Sequence, residues 1–507
     1  MCEYILAHDL GSSGNKATLY DFKGRLCASA LYEYATYYEK DNGVEQDPHH
    51  WWEAVCISTK DILDRSGISN SDIACVAFSG QMMGCLPVDK DGEPLRNSLI
   101  WADMRASDQA AQIEKLIGNE DIYMITGHKA SSSYSAAKLL WIRDNEPAVF
   151  KRIHKVLHAK DYIIHKLTGN YVTDYSDASG MNLFDINTHK WSTSIISELD
   201  IDESILPELH KSADIAGKVT KEASRLCGLL EGTPVVIGGG DGSCAAVGAG
   251  VVSEGKTYNV IGSSSWVSMA SKTPIFDEQK RTFNWVHLDP DLYTPCGTMQ
   301  AAGYSMNWLK NTLCDFEVAN ARELDVNPYK LIDDRIAHSP AGSNNVVFLP
   351  YLLGERSPRW NPDAKGAFMG LKITSTKDDI LRSVLEGVGY NLKVIIDILD
   401  SKININDMVV IGGGAKSMVW LQILADIWQK TLHIPEYLEE ATSMGAAICG
   451  GVGIGVFDSF DVINNFNPIK KSIIPNENNK KKYIQLYEVF NDAYDCLIPI
   501  FNRLKDM

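Results

Sequence analysis

Three glycine-rich turns carry the residues of this chain that could do chemistry. The first is Asp9-Leu10-Gly11-Ser12-Ser13-Gly14-Asn15-Lys16. A carboxylate ends an apolar run, and backbone N–H groups, hydroxyls and a lysine follow. Such a set can hold a divalent cation through Asp9 and stabilise phosphate oxygens through the turn and Lys16. It also suits an ordinary Asx-type hairpin turn, and the spacing alone does not choose between them. The second turn is Gly238-Gly239-Gly240-Asp241-Gly242-Ser243. Its glycines let a ligand approach the backbone, and Asp241 could take a proton from a hydroxyl as that oxygen attacks phosphorus. The plainer alternative is a helix N-cap. The third, Ile411-Gly412-Gly413-Gly414-Ala415-Lys416-Ser417, could receive the adenosine and phosphate edge of a nucleotide. It lacks the G-x-G-x-x-G spacing of a dinucleotide fingerprint.

One match misleads. Gly250-Val251-Val252-Ser253-Glu254-Gly255-Lys256-Thr257 fits the phosphate-loop pattern letter for letter. That loop needs a strand before it and a helix after it. Here residues 245–249 read as helix and residues after 256 as strand, so the match is read as chance. A helix starting at Lys256 would reverse this reading. Two further segments, Gly80-Gln81-Met82-Met83-Gly84 and Trp101-Ala102-Asp103-Met104-Arg105, mix polar with bulky apolar groups, as a sugar site does. Core packing for the methionines and Trp101, and a surface ion pair for Asp103 and Arg105, explain them equally well.

The elements that must position these turns follow from periodicity. Residues 4–7 form a short apolar strand, 16–20 alternate as a half-buried strand, and 25–34 form a third. A second strand–turn–strand unit follows about half a chain later, with strands at 256–261 and 266–270 around Gly262-Ser263-Ser264-Ser265. This repetition suggests two related lobes. Residues 73–78, 234–237 and 408–411 read as buried strands running into glycine. Helices are expected over 135–145, 379–399 and 419–428, and a helical aromatic stripe runs from Tyr483 to Tyr494. Mixed strands and helices with ligand-like loops after strands indicate α/β architecture.

Composition narrows the function class. The 507 residues carry 48 Lys+Arg against 65 Asp+Glu, a net charge of −17. Such a field disfavours nucleic acid and anionic membrane surfaces as partners. The 11 cysteines include no C-x-x-C pair, and reduced core thiols in a cytoplasmic protein are expected. The N-terminal residues lack a signal-peptide pattern, and no apolar run is long enough to cross a bilayer.

Taken in order along essentially the whole chain, these pieces resemble the FGGY carbohydrate kinase family of the actin–hexokinase ATPase superfamily. The likeness includes the Asp9–Lys16 loop, Gly80-Gln81-Met82, Trp101, Lys138-Leu139-Leu140-Trp141, Lys160-Asp161-Tyr162 and Asp174 to Gly180. It continues through Gly240-Asp241, Gly354-Glu355-Arg356-Ser357-Pro358, Leu385-Glu386-Gly387-Val388-Gly389-Tyr390, the Gly412–Gly414 loop and Ser443-Met444-Gly445-Ala446-Ala447. Within the family it is closest to xylulokinases.

The resemblance implies two ribonuclease-H-like lobes, residues 1–243 holding the sugar and 244–507 the nucleotide, with a catalytic cleft between them. By residue type and motif, Asp241 matches the family's catalytic base and Asp9 its magnesium-associated carboxylate. Gly11, Ser12, Ser13 and Lys16 match the first phosphate loop, and Gly262, Ser263 and Ser264 the second. Gly412, Gly413 and Ala415 match the adenosine loop. Gln81, Met82, Met83, Trp101, Asp103 and Trp266 match sugar-site positions. ATP, Mg²⁺ and a small sugar are the implied ligands, and relatives are often dimers.

Two departures bear on the sugar. Met83 stands where xylulokinases usually carry histidine, and Gly242 where they commonly carry asparagine. An unpaired buried hydroxyl costs about 1–3 kcal/mol, so losing two polar partners can change selectivity by orders of magnitude. D-xylulose is the expected acceptor, with L-xylulose, ribulose, gluconate, glycerol and erythritol as alternatives. A non-kinase actin-like ATPase or a sugar sensor is the alternative outside kinase chemistry.

Overall fold

A computed structural model describes residues 3–505. The first sheet is built from β1 (Tyr4–Leu10), β2 (Gly14–Asp21), β3 (Leu26–Glu33), β4 (Ile73–Gly80), β5 (Ile215–Lys218) and β6 (Pro234–Gly240), in the order β5-β6-β4-β1-β2-β3. β1 to β3 form an antiparallel meander, and β4 then β6 add in parallel to β1. The second sheet contains β7 (Thr257–Ile261), β8 (Ser265–Met269), β9 (Phe283–Val286), β10 (Tyr293–Met299), β11 (Asp407–Ile411), β12 (Thr431–Pro435) and β13 (Ile469–Ile473), in the order β9-β10-β8-β7-β11-β12-β13. Its β10-β8-β7-β11-β12 core repeats the β3-β2-β1-β4-β6 core of the first sheet, antiparallel and then parallel. The two lobes therefore share the expected ribonuclease-H-like plan.

The first hairpin pairs Asp9 with Lys16, and its counterpart pairs Ile261 with Ser265. Both glycine/serine turns thus lie at the inner ends of central strands, where a parallel α/β sheet leaves room for ligands.

The helices that matter here are α1 (Pro48–Ser66), α2 (Ser135–Asn145), α3 (Ala159–Thr168), α4 (Asp241–Gly248), α5 (Gly303–Leu313), α6 (Pro328–His338), α7 (Lys377–Asp400), α8 (Met418–Trp428), α9 (Ala441–Gly453) and α10 (Glu477–Lys505). α7 begins on a capping box in which Thr376 and Asp379 satisfy each other's backbone N–H groups. β7 begins directly after Lys256 and α4 ends before Gly250, so the phosphate-loop look-alike has a helix before it and a strand after it.

α4 and α9 cross at the centre of the molecule. A Cβ on Gly445 would fall on the Cys244 carbonyl, and one on Gly248 on the Ala441 carbonyl. α9 follows a strand of the second sheet yet packs on the first. Its Met444, Ala446, Ala447 and Ile448 join Ile5, Ala7, Cys75, Ala77 and Val236 in one apolar cluster with Cys244 and Val247 of α4. Among the described residues no helix is long and apolar enough to cross a membrane.

Candidate active site

β6 ends in three glycines, and Asp241 is the first helical residue of α4. Gly240, not Asp241, occupies the cap position, so the N-cap alternative for Asp241 falls away. The tight approach is explained by Met82, which lies against Gly240 where a side chain would otherwise sit. Asp241 Oδ1 accepts the Gly242 N–H at 2.7 Å. Burial, reinforced by the nearby Asp9 carboxylate, pushes its pKa up to about 7.

Asp9 lies near the end of β1. Ser79 of β4 donates to its Oδ1 at 2.9 Å, and Thr442 of α9 donates to its Oδ2 at 2.7 Å. Burial raises its pKa, against the hydroxyls and Lys16, which lower it. Lys16 itself is turned to the other lobe, with Nζ 3.0 Å from Glu440 Oε1 and 3.0 Å from the Glu439 carbonyl. Two carboxylates that resist ionisation, with their lysine shared with Glu440, form a place short of positive charge. That donor set fits a hard divalent cation.

The Gly11–Ser13 turn is held from several sides. Tyr34 donates to the Gly11 carbonyl, while Gln46 Nε2 at 2.6 Å and Thr36 at 3.2 Å donate to that of Ser12. Trp101 Nε1 donates to Ser12 Oγ at 2.7 Å. Ser13 is exposed, and its carbonyl accepts Tyr34 N–H at 3.2 Å.

Two cavities meet at the second serine turn. The smaller, about 300 Å³, is lined by Asp241, Gly242, Ser12, Met82, Met83, Trp101, Ser264 and Trp266 among others. The larger, about 820 Å³, is lined by Gly262, Ser263, Gly413 and Gly414 together with α5, α6 and α8. Ser263 faces one cavity and Ser264 the other, so this turn is the wall between them.

Some expected residues lie elsewhere. Asp103 is fully buried but does not line the sugar-sized cavity. Its Oδ2 accepts Val44 N–H at 2.6 Å and Arg105 Nε at 2.9 Å, so the carboxylate is spent on holding its loop. The sugar-site assignment of Asp103 is corrected accordingly, and the ion pair is internal rather than on the surface. Gln81 also lies outside the lining; its Nε2 donates to Gln46 Oε1 at 2.7 Å, beneath the first turn. It supports the turn from below rather than facing a sugar. Ala415 is buried behind the nucleotide-sized cavity, and Gly412 turns the chain there with φ +88°.

The cavities also contain residues that no motif marked. Phe283, Trp285, Cys296, Gln300 and Arg356 line the smaller one. Gly303, Asn307, Asp333 and Trp420 line the larger. The aromatic content of 281–296 was the available signal for Phe283 and Trp285.

Comparison with known proteins finds matches along nearly the whole chain. The N-terminal domain model of the FGGY family of carbohydrate kinases matches residues 4–248, and its C-terminal domain model matches residues 257–454. The chain is 32% identical to a xylulose kinase of Staphylococcus xylosus, over 97% of this chain and 100% of that one. A ligand-bound xylulose kinase from Lactobacillus acidophilus superposes with a TM-score of 0.92 at 26% identity, covering 99% of both chains. A gluconate kinase from the same organism gives the same TM-score, identity and coverage.

Proposed function

This chain belongs to the FGGY family of carbohydrate kinases, ATP-dependent enzymes that phosphorylate small sugars, and from that premise we propose that its acceptor is D-xylulose. The observation that carries the reading is the shared wall. One turn contributes Ser263 to a nucleotide-sized cavity and Ser264 to a sugar-sized one, and Asp241 stands in the latter.

In this reading ATP lies in the larger cavity with its adenosine against Gly413 and Gly414. The Gly262–Ser264 and Gly11–Ser13 turns direct N–H groups and hydroxyls at the phosphoryl group and its developing charge. The sugar occupies the smaller cavity, between Met83, Trp101 and Trp266. Asp241 orients its primary hydroxyl and takes the proton as that oxygen attacks the γ-phosphorus. Asp9 would hold Mg²⁺, which would neutralise phosphate charge when bound. Sugar binding closes the lobes, divided at residues 243/244, and excludes water from the phosphoryl group. The enzyme works in the cytoplasm, where ATP is available, and as a homodimer.

A second acceptor class is favoured by one feature. Arg356 lines the sugar cavity, and among the described residues no carboxylate lies within ion-pairing distance of it. The neighbouring Glu355 carboxyl is tied instead to the N–H groups of Gln300 and Arg356 and to Asn391. A guanidinium without a carboxylate partner suits the carboxylate of an aldonate such as gluconate.

Coupled ADP release across ketopentoses, polyols and aldonates tests both readings. The highest kcat/KM is expected with D-xylulose; a higher value with gluconate would transfer the assignment to the second. Asp241→Asn should abolish sugar phosphorylation while nucleotide binding persists. Near-normal turnover in that variant would sink the base assignment.

A further inference from the structure

The Met82–Met83 turn adopts a backbone that needs support. Met83 has φ +64°, a left-handed conformation that a residue with a Cβ adopts only under steric strain. It nonetheless lines the sugar-sized cavity. Its carbonyl accepts a hydrogen bond from Lys138 Nζ at 2.8 Å. Lys138 belongs to α2 and is fully buried. The same ammonium donates to the Ile100 carbonyl at 2.6 Å and the Ser133 carbonyl at 2.6 Å. Ile100 immediately precedes Trp101, and Ser133 immediately precedes Tyr134, which packs with Met82 and Trp285. No carboxylate lies within ion-pairing distance of Lys138 among the described residues. A buried lysine usually finds a carboxylate; this one spends its three N–H groups on three separate segments around one cavity.

We infer that Lys138 is the positioning residue of the sugar cavity, its ammonium holding Met83 and Trp101 in place to grip the acceptor. It touches neither sugar nor nucleotide and acts through these two side chains. The inference rests on the sugar-kinase reading of the smaller cavity. Nothing comparable links Lys138 to the larger cavity, whose lining comes from the other lobe.

The arrangement depends on charge. An ammonium has one N–H for each carbonyl, whereas a neutral amine has two N–H groups for three acceptors. Burial brings the Lys138 pKa down to about 7. The charged groups facing it are Asp103, which favours the ammonium, and Arg356 and Arg105, which oppose it; the Cys85 thiol, also facing it, favours the ammonium when ionised. The folded pKa lies below that of a free lysine, so the full set of hydrogen bonds exists below about pH 7 and is lost as pH rises through it.

The test has two arms. In Lys138→Met, KM for D-xylulose should rise about tenfold or more, with KM for ATP unchanged, because a small misplacement of gripping groups acts only on the ligand they hold. A parallel rise in both KM values, or an unchanged sugar KM, would overturn the inference. The second arm needs no change at Lys138. On the Asp241→Asn background, which removes that carboxyl's titration, calorimetric sugar affinity should weaken from about pH 6 to about pH 9. A constant affinity over that range would also overturn it. If wild-type protein phosphorylates no sugar and binds none, the kinase reading has failed instead, which these arms distinguish.

Discussion

Asp241 is buried near the Asp9 carboxylate, whose charge makes it harder to ionise. Burial is the larger cause for Asp241 and the Asp9 charge the second, which together carry its pKa up to about 7. A general base works only as the carboxylate, so the protonated fraction is inactive. With the folded pKa raised above the ordinary carboxylate value, the base is in its active form above about pH 7, and that form is lost as pH falls through it. In the free enzyme kcat/KM for the sugar should therefore fall about tenfold per pH unit below that point. A profile flat down to about pH 5, near the range of an ordinary carboxylate, would show that this carboxyl does not set the rate. Ser12 has a comparable dependence on its surroundings. Its hydroxyl is fixed by Trp101 and its carbonyl by Gln46 and Thr36, so the residues that hold this turn come from segments far along the chain.

At the level of elements, Gly445 and Gly248 set how closely α4 and α9 cross, and α4 carries Asp241 while α9 carries Thr442 against Asp9. Gly445→Ala would force the helices apart by displacing backbone rather than a flexible side chain. Overpacking of this kind costs about 1–3 kcal/mol. Thermal unfolding should shift down accordingly and turnover should fall, because both carboxylates move. Gly413→Ala is the useful contrast. A Cβ there meets nothing within 4 Å, and the residue lines the nucleotide-sized cavity. Stability should hold while KM for ATP rises. Equal melting temperatures for Gly445→Ala and wild type would show that the crossing is slack.

What could be read from the sequence at this level was local. The opening hairpin, its counterpart at 257–269, α2 and α7 each carry their own alternation, glycine turn or apolar stripe, and the structure has them within a few residues of the expected bounds. β9 and β10 carried no such signal. β10 contains Pro295, which argues against a strand, and it is a strand because its neighbours on both sides pair with it. Phe283, Trp285 and Cys296 were therefore missed as cavity residues. Asp103 failed differently: its type and setting suit a sugar site, but its lone pairs were already taken by Val44 and Arg105, which only the folded loop reveals. Arg356 was present in the family motif, yet nothing in its spacing said which cavity it would enter.

The whole molecule is less divisible than its two repeated sheets imply. The first sheet's apolar face, with Ile5, Ala7, Cys75, Ala77 and Val236, is covered by α9, which lies more than two hundred residues further along the chain. α4 does the reverse, placing Ala245 and Ala246, with Ala249 just past its end, against Tyr258 and Ile411 of the second lobe. Each lobe thus completes its core with a helix bordering the other, and cutting between them exposes a contiguous apolar face on both pieces. Residues 1–250 expressed alone should be insoluble or lack fixed tertiary structure, and co-expression with 251–507 should restore soluble, sugar-phosphorylating protein. The intact chain should also unfold in one calorimetric transition, because neither core survives loss of the other. A soluble, cooperatively folding 1–250 fragment would mean that the crossing helices join two finished lobes. If they do not, closure of the cleft must bend the chain around the α4–α9 crossing, with Asp241 at one edge of that pivot and Thr442, bonded to Asp9, at the other.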